Sequence, residues 1–320
     1  MCPAQGRLKD SKSKTMNETI IECVPNFSEG TDRKKVCAIV NAMEVEGVFL
    51  LDWSMDRDHN RSVVTIAGSP QAVVQAAVRA AAKAAELIDL TAQSGVHPRI
   101  GATDVVPFVP IRGVSLEQCV LFARQAGWEM WKRNGIPVYF YGAAAARPDR
   151  AELEDVRRGQ FEGLRELVLR DAGRQPDIGG PELHPTAGAS AVGARKFLVA
   201  YNLYLERPDV ATARAIAKAI RASSGGLEGV KAMGVMAQGR AQVSMNITDL
   251  GKTGVGQAFA AVSRLASRYE NRVSEGELIG LLPEEAFEPE SAWVRLLVGF
   301  KPEEKVLERR LQSPLAWPVS

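Results

Sequence analysis

The sequence predicts an α/β fold of the α+β type, arranged as two lobes, and three observations predict it. The chain has 320 residues, and domains usually run to roughly 100–200, so two units are the default. Runs rich in β-branched and aromatic residues alternate with stretches of helical apolar spacing in both halves. Two pairs of extended runs, 48–53 with 61–67 and 230–236 with 242–247, stand close enough in sequence to pair antiparallel. Such pairs favour a mixed sheet in each lobe over a doubly wound parallel one.

Taken in order, Ile20–Val24 is a short apolar run, and a helix is expected from Asp32 to about Glu44. Val48–Trp53 and Ser62–Ala67 read as strands. Ser69-Pro70 opens a helix, with serine as cap and proline in the first turn, and Val73, Val74, Ala77, Val78, Ala81 and Ala85 carry its apolar face to Ile88. Val105–Ile111 is extended but contains Pro107 and Pro110, which suits an edge or irregular strand. Ser115 and Gln118 form a capping box for a helix to about Arg133, stopped by Gly135. Val138–Tyr141 is the next strand, and Leu153–Leu169 reads as one charged amphipathic helix. The glycine- and proline-rich stretch 173–193 has no periodic apolar face and is expected to be a linker or a functional loop. Beyond it, Phe197–Leu205 is a strand, Asp209–Arg221 a helix, and Gly256–Tyr269 another, with the Gln238-Gly239 turn between the second pair of strands. The expected division is a disordered extension over 1–15, a first lobe over 16–183 and a second over 184–320.

Composition excludes several classes. Apolar residues make up 46% and charged residues 24%, which is ordinary for a globular chain and unlike a disordered one. No run reaches the ~20 apolar residues that cross a bilayer as a helix, and residues 1–15 lack the apolar core of a signal peptide. Lys and Arg number 40 against 38 Asp and Glu, a net charge of +2. Arg7, Lys9, Lys12 and Lys14 against Asp10 give the first fifteen residues +3, leaving −1 for the rest, so no nucleic-acid partner is expected. Cys2, Cys23, Cys37 and Cys119 are scattered without a CxxC pair, and His59, His97 and His184 lie far apart. That spacing offers no Cys/His metal site and suits a reduced, cytoplasmic protein.

The common catalytic signatures GxSxG, HExxH and the P-loop are absent, and GASAVGARK (188–196) lacks the ending of a phosphate loop. The most informative segment is SGVHPRIG (94–101). Proline after His97 holds it extended, with Arg99 and Asp104 near enough in sequence to tune it. An imidazole there is either a surface or capping group, or a general acid/base poised near neutral pH. The segment DRDHNRS (56–62) is either a solvated hairpin loop or a carboxylate site in which Asn60 and Arg61 take part. In PNFSEG (25–30), Asn26 or Ser28 could cap the helix that follows.

Six collinear segments together give the chain a resemblance: ECVPNFSEG (22–30), DHNRSVVT (58–65), HPRIGATDVVPFVPIRG (97–113), PVYFYG (137–142), GARKFLVAYN (193–202) and QVSMNITD (242–249). In order and spacing these resemble the formiminotransferase domain of glutamate formimidoyltransferases, from about Ile20 to Phe287. The resemblance implies two α/β subdomains with helices on one face of each sheet, tetrahydrofolate as one-carbon carrier in a groove between them, and a homodimer. It implies transfer of the formimino group between 5-formiminotetrahydrofolate and L-glutamate, giving N-formimino-L-glutamate, in histidine degradation, with no metal. It places the catalytic histidine at His97 and the folate-contacting linker at Gly179–Gly188, with Gly179, Gly180, Pro181, Pro185 and Gly188 as contacts. Arg61 and Arg99 flank the motifs and are the preferred carboxylate anchors, over Arg195 and Lys196, with Asn60 and Asp104 beside them. The chain departs from the mammalian type at Ser54, where an acidic residue is usual, at Val96, and at Leu183, His184 and Ala187. Formyl transfer from 5-formyltetrahydrofolate, or folate binding without turnover, are the alternatives.

Overall fold

The computed structural model describes residues 19–95 and 98–319, so the expected N-terminal extension, Val96 and His97 lie outside the described residues. The first lobe is a seven-stranded mixed sheet. Its strands are β1 (Ile20–Cys23), β2 (Asn26–Phe27), β3 (Val48–Asp56), β4 (Arg61–Gly68), β5 (Thr103–Arg112), β6 (Val138–Gly142) and β7 (Ser190–Ala194). The hairpin β3–β4 pairs Asp56 with Arg61 across its turn, and β5, β7 and β6 run parallel. Helices α1 (Arg33–Ala42), α2 (Pro70–Leu87) and α3 (Leu116–Asn134) bury their apolar stripes on one face. Ser115 makes the expected capping box and Gly135 takes the left-handed stop at φ 64°. The cap of α1 is Asp32, which accepts from the Lys34 and Lys35 amides, rather than Asn26 or Ser28.

Three expectations about this lobe are corrected. β5, expected as an edge or irregular strand, is irregular in its pairing but central, flanked by β1 and β2 on one side and β7 on the other. Its prolines are tolerated because the flanking chain breaks between Cys23 and Asn26, and the register shifts at Ile20/Ile21 and Asn26/Phe27, leaving gaps in the ladder. The stretch read as one helix over 153–169 is two, α4 (Leu153–Val156) and α5 (Gln160–Arg170), because Gly159 at φ 94° and Gln160 at φ 53° leave the helical region. The end of the stretch read as linker is β7, a run of small buried residues between β5 and β6. The first sheet therefore extends past the expected division at 183/184.

The second lobe contains β8 (Val199–Leu205), β9 (Val230–Ala237), β10 (Arg240–Ile247) and β11 (Val273–Ile279) in the order β11-β8-β10-β9. Every pairing is antiparallel, so this sheet is not mixed. The hairpin β9–β10 pairs around Gln238-Gly239 as expected, whereas β11, charged and short on apolar alternation, was not anticipated. α6 (Val210–Ile220) and α7 (Val255–Arg268) cover one face, packing on Val199, Tyr201, Leu203, Val243 and Met245.

Strand alternation then decides what the uncovered faces carry. On β1, Ile21 and Cys23 enter the helix-side core, which leaves Ile20 and Glu22 on the open face. There Ile20, Leu51, Ala67 and Ile111 pack against Phe197, Leu281, Leu307 and Leu311 of the second lobe and its C-terminal segment. Leu315 donates its amide to the Leu50 carbonyl at 2.8 Å, and Arg310 Nε donates to the Leu51 carbonyl at 2.9 Å. The chain end thus ties one lobe to the other. On the second sheet the open face carries Asn202, Tyr204, Ser244 and Lys231. Lys231 reaches Glu152 and Glu154 of the first lobe, so this face looks toward α4.

Candidate active site

Four backbone-directed side chains draw the sequence motifs together. Ser28 Oγ donates to the Gly101 carbonyl at 2.7 Å, and its amide donates to the Ala102 carbonyl. Glu29 accepts from the amides of Thr31 and Asp32 and from the Thr31 hydroxyl, fixing the chain before α1. Asn60, left-handed at φ 46°, accepts from the Gly30 amide at 2.9 Å and donates to the Ser94 carbonyl at 2.8 Å. Gln93 Nε2 donates to the Asn60 carbonyl. Segments 25–30, 56–62, 93–95 and 98–101 are therefore one assembly, and Asn60 is its clip, with both ends of its amide used on backbone.

The glycine-rich stretch meets the same assembly. The Ala102 amide donates to the Ala187 carbonyl, and the Ala189 amide donates to the Ile100 carbonyl, each at 2.9 Å. The two backbones come so close that a Cβ on Gly101 would stand 2.1 Å from the Ala189 carbonyl oxygen, and one on Gly188 2.1 Å from that of Ile100. Only glycine fits at either position. His184 holds the turn: its Nδ1 accepts from the Thr186 and Ala187 amides, and burial lowers its pKa. Gly179 lies elsewhere, against the Trp131 ring of α3, where a Cβ would fall 2.6 Å from the indole. Gly180, Pro181 and Pro185 are exposed.

The two arginines expected as anchors differ. Arg99 is buried and committed. Its Nε donates to Gln93 Oε1 at 2.6 Å, Nη2 donates to the Gln93 and Leu90 carbonyls, and the guanidinium forks onto Glu162 at 2.8 and 3.1 Å. The Phe161 amide donates to the Arg99 carbonyl, so α5 and residues 98–101 brace each other. Arg99 therefore positions the loop and has no guanidinium edge left for a substrate. Arg61 sits on the open face in a different setting. Burial lowers its pKa to about 10, the nearby Arg157 guanidinium lowers it too, and Asp104 and Asp56 oppose both. Asp104 is 2% exposed, accepts from the Ile100 amide at 2.8 Å and pairs with Arg157 Nη2. Asp56 is held by His59: burial works against its ionisation, but the His59 amide and ring bonds prevail and lower its pKa.

Arg157, Tyr141, Arg195 and Glu22 continue this line across the open face. Tyr141 alternates with Phe140, whose ring packs against Gly127 of α3, so Tyr141 faces away from the helices. Opposite it, Gly193 leaves the room a Cβ would fill, 2.6 Å from the tyrosine ring. Burial raises the Tyr141 pKa to about 12, against the pull of Arg195 and Arg157. Glu22 is pushed up to about 7 by burial, with Arg195 opposing and Glu308 adding to the rise. Lys196 is spent on Asp249 at 2.7 Å. Among the described residues no cluster of His, Cys, Asp or Glu could hold a metal, and no helix is long and apolar enough to cross a membrane. Sequence reasoning missed Arg157, Tyr141 and Glu22. The signal for the first was Gly159 two residues later, a glycine interrupting a helical pattern.

These features define a two-lobed α/β protein whose sheets leave a charged open face between them. Residues 20–195 match the formiminotransferase domain, N-terminal subdomain, and residues 200–311 match the formiminotransferase domain. The chain is 42% identical over 295 residues to a glutamate formimidoyltransferase of Streptococcus pyogenes serotype M1, covering 91% of this chain and 98% of that protein. It is 42% identical over 300 residues to a glutamate formimidoyltransferase of Thermoplasma acidophilum, covering 92% and 98%. A formimidoyltransferase-cyclodeaminase of Mus musculus is 39% identical over 273 residues, covering 82% of this chain and 50% of that longer protein. The chain belongs to the formiminotransferase family.

Proposed function

We propose that this protein transfers a formimino group between 5-formiminotetrahydrofolate and L-glutamate, with tetrahydrofolate as carrier and N-formimino-L-glutamate as the amino-acid product. What supports the reading is that relatives named for this activity match it across both lobes and almost their full length. The formimino carbon is an electrophilic amidine carbon. The glutamate amine attacks it, a new C–N bond forms, and the bond from that carbon to folate N5 breaks as the tetrahedral intermediate collapses.

His97 is assigned as the base that takes the proton from the amine and returns it to N5, one imidazole serving both steps near neutral pH. Asn60, Ser28 and Arg99 position the segment that carries it, through the backbone bonds described above. Arg61 is assigned to the substrate side, with the buried Asp104 supporting the arginines there, and the family resemblance assigns the folate to the stretch holding Gly179, Gly180, Pro181, Pro185 and Gly188, of which the Gly188 end meets the assembly. Holding donor and acceptor together between two sheet faces supplies the rest through proximity. The family resemblance also leads us to propose a homodimer, which would sediment at twice the chain mass.

The test is turnover of the purified protein with 5-formiminotetrahydrofolate and L-glutamate, beside 5-formyltetrahydrofolate and the His97→Ala variant. Formiminoglutamate should appear from the formimino donor, and His97→Ala should lose ~100-fold or more of the rate. A wild-type protein that turns over only the formyl donor, or neither, contradicts the reading.

A further inference from the structure

The break between α4 and α5 sends Arg157 into the protein rather than onto a solvated helix face. Its side chain is 14% exposed, and Nη2 is bonded to Asp104. Its Nε is buried and has no hydrogen-bond partner. Asp104, 2% exposed, has little left to give, since its other oxygen already accepts from the Ile100 amide. Arg61 lies close enough that the Arg157 guanidinium opposes its charge, while Asp104 and Asp56 favour it. Lys231 is held by Glu152 and Glu154 and does not reach that donor. Arg157 thus keeps one buried donor unused on the open face, with a second guanidinium nearby. Buried charge in that state is costly until a partner arrives, and a planar carboxylate matches guanidinium geometry.

We propose that Arg157, with Arg61, forms a clamp for a substrate carboxylate, the Arg157 Nε being the donor held ready for it. This rests on the formimino-transfer reading and deepens it. The carboxylate belongs either to the amino-acid substrate or to the glutamyl tail of the folate. Arg157 binds and orients; it takes no part in proton transfer. It also replaces Arg99 as the second cation of the pair that the sequence alone put forward.

The test is Arg157→Gln, with KM for formiminoglutamate and kcat measured in the reverse direction. Kd values for tetrahydrofolate and for a pteroate lacking the glutamyl group, and the melting temperature, are measured in parallel. A clamp on the amino acid raises KM by ~20-fold or more, with kcat and the tetrahydrofolate Kd within about threefold. A clamp on the tail instead raises the tetrahydrofolate Kd by the same factor and leaves the pteroate Kd unchanged. A folded variant in which neither constant moves more than about threefold overturns the proposal, and Arg157 then serves only Asp104. If Arg157→Gln does not fold, Arg157→Lys keeps the charge but loses the fork. It should raise the same constant ~5-fold, and an unchanged constant overturns the proposal. If the wild type shows no turnover, the activity reading fails by itself. Calorimetric titration of L-glutamate and tetrahydrofolate into wild type and Arg157→Gln then decides the clamp: weaker binding to the variant upholds it, while equal binding, or none to either, overturns it.

Discussion

Arg99, buried, and Arg157, largely buried, are both paired with a carboxylate beside the same helix break, yet they are opposites in how their donors are used. Arg99 faces Glu162, which is 62% exposed, and spends its remaining donors on the Leu90 and Gln93 carbonyls and the Gln93 side chain. Arg157 faces the buried Asp104, has Arg61 for a neighbour and keeps its Nε unbonded. The first arrangement is closed and the second is open on one side. A buried cation with all donors satisfied by its own chain is part of the scaffold. One with a buried donor left over, beside a second guanidinium, has a place for an anion.

Two outcomes would break or sharpen that contrast. The larger concerns scaffold stability. Arg99→Met should cost about 3 kcal/mol, read by denaturant unfolding, because buried carbonyls lose their donors at roughly 1–3 kcal/mol each. The exposed Glu162 contributes little to that figure, since a largely solvated ion pair is worth at most about 1 kcal/mol. If Arg99→Met leaves stability intact and raises KM instead, the two arginines have been assigned the wrong way round.

A comparable but smaller effect comes from Glu22, at the far end of the open-face line. Its carboxyl is raised from 4.5 to about 7, chiefly by burial. Below about pH 4.5 both folded and unfolded chains hold this proton. As pH rises from there toward 7 the unfolded chain releases it first, so the folded state loses stability over that window and levels off above it. The gap corresponds to at most about 3 kcal/mol. Melting temperature should therefore fall less between pH 5 and 8 in Glu22→Gln than in wild type. Equal slopes in the two proteins would mean that Glu22 is ionised throughout and paired with Arg195.

How much of this was legible beforehand follows from which forces were local. Ser115 with Gln118 and Gly135 mark α3, and Pro70 marks the first turn of α2, because such signals act within one turn, whereas Ser69 makes no side-chain cap bond. The hairpins β3–β4 and β9–β10 were legible because their partners are neighbours in sequence. β7 was not, since Ser190–Ala194 owes its strand character to β5 and β6 on either side and shows no alternation of its own. The central place of β5 was hidden for the same reason, its prolines being tolerated only by gaps in strands far away in sequence. In the candidate site, the motif segments were legible and their roles less so. Asn60 and Arg99 looked like ligand residues because their neighbours are polar, but their polar atoms are used up across sequence gaps of 30, 34 and 63 residues. Arg157 looked like one more charge on a solvated helix, and it took the turn at Gly159 to bring it to Asp104.

The central claim is that the ligand lies on the open face between the two sheets, against the assembly of motif segments. Hydrogen exchange with and without saturating 5-formyltetrahydrofolate, a stable relative of the donor, tests it most directly. The account predicts slowed exchange in 57–61, 94–104, 157–160 and 179–189, with α2 and α7 unchanged. Protection confined to the helix-covered faces, with those four segments unaltered, would contradict it.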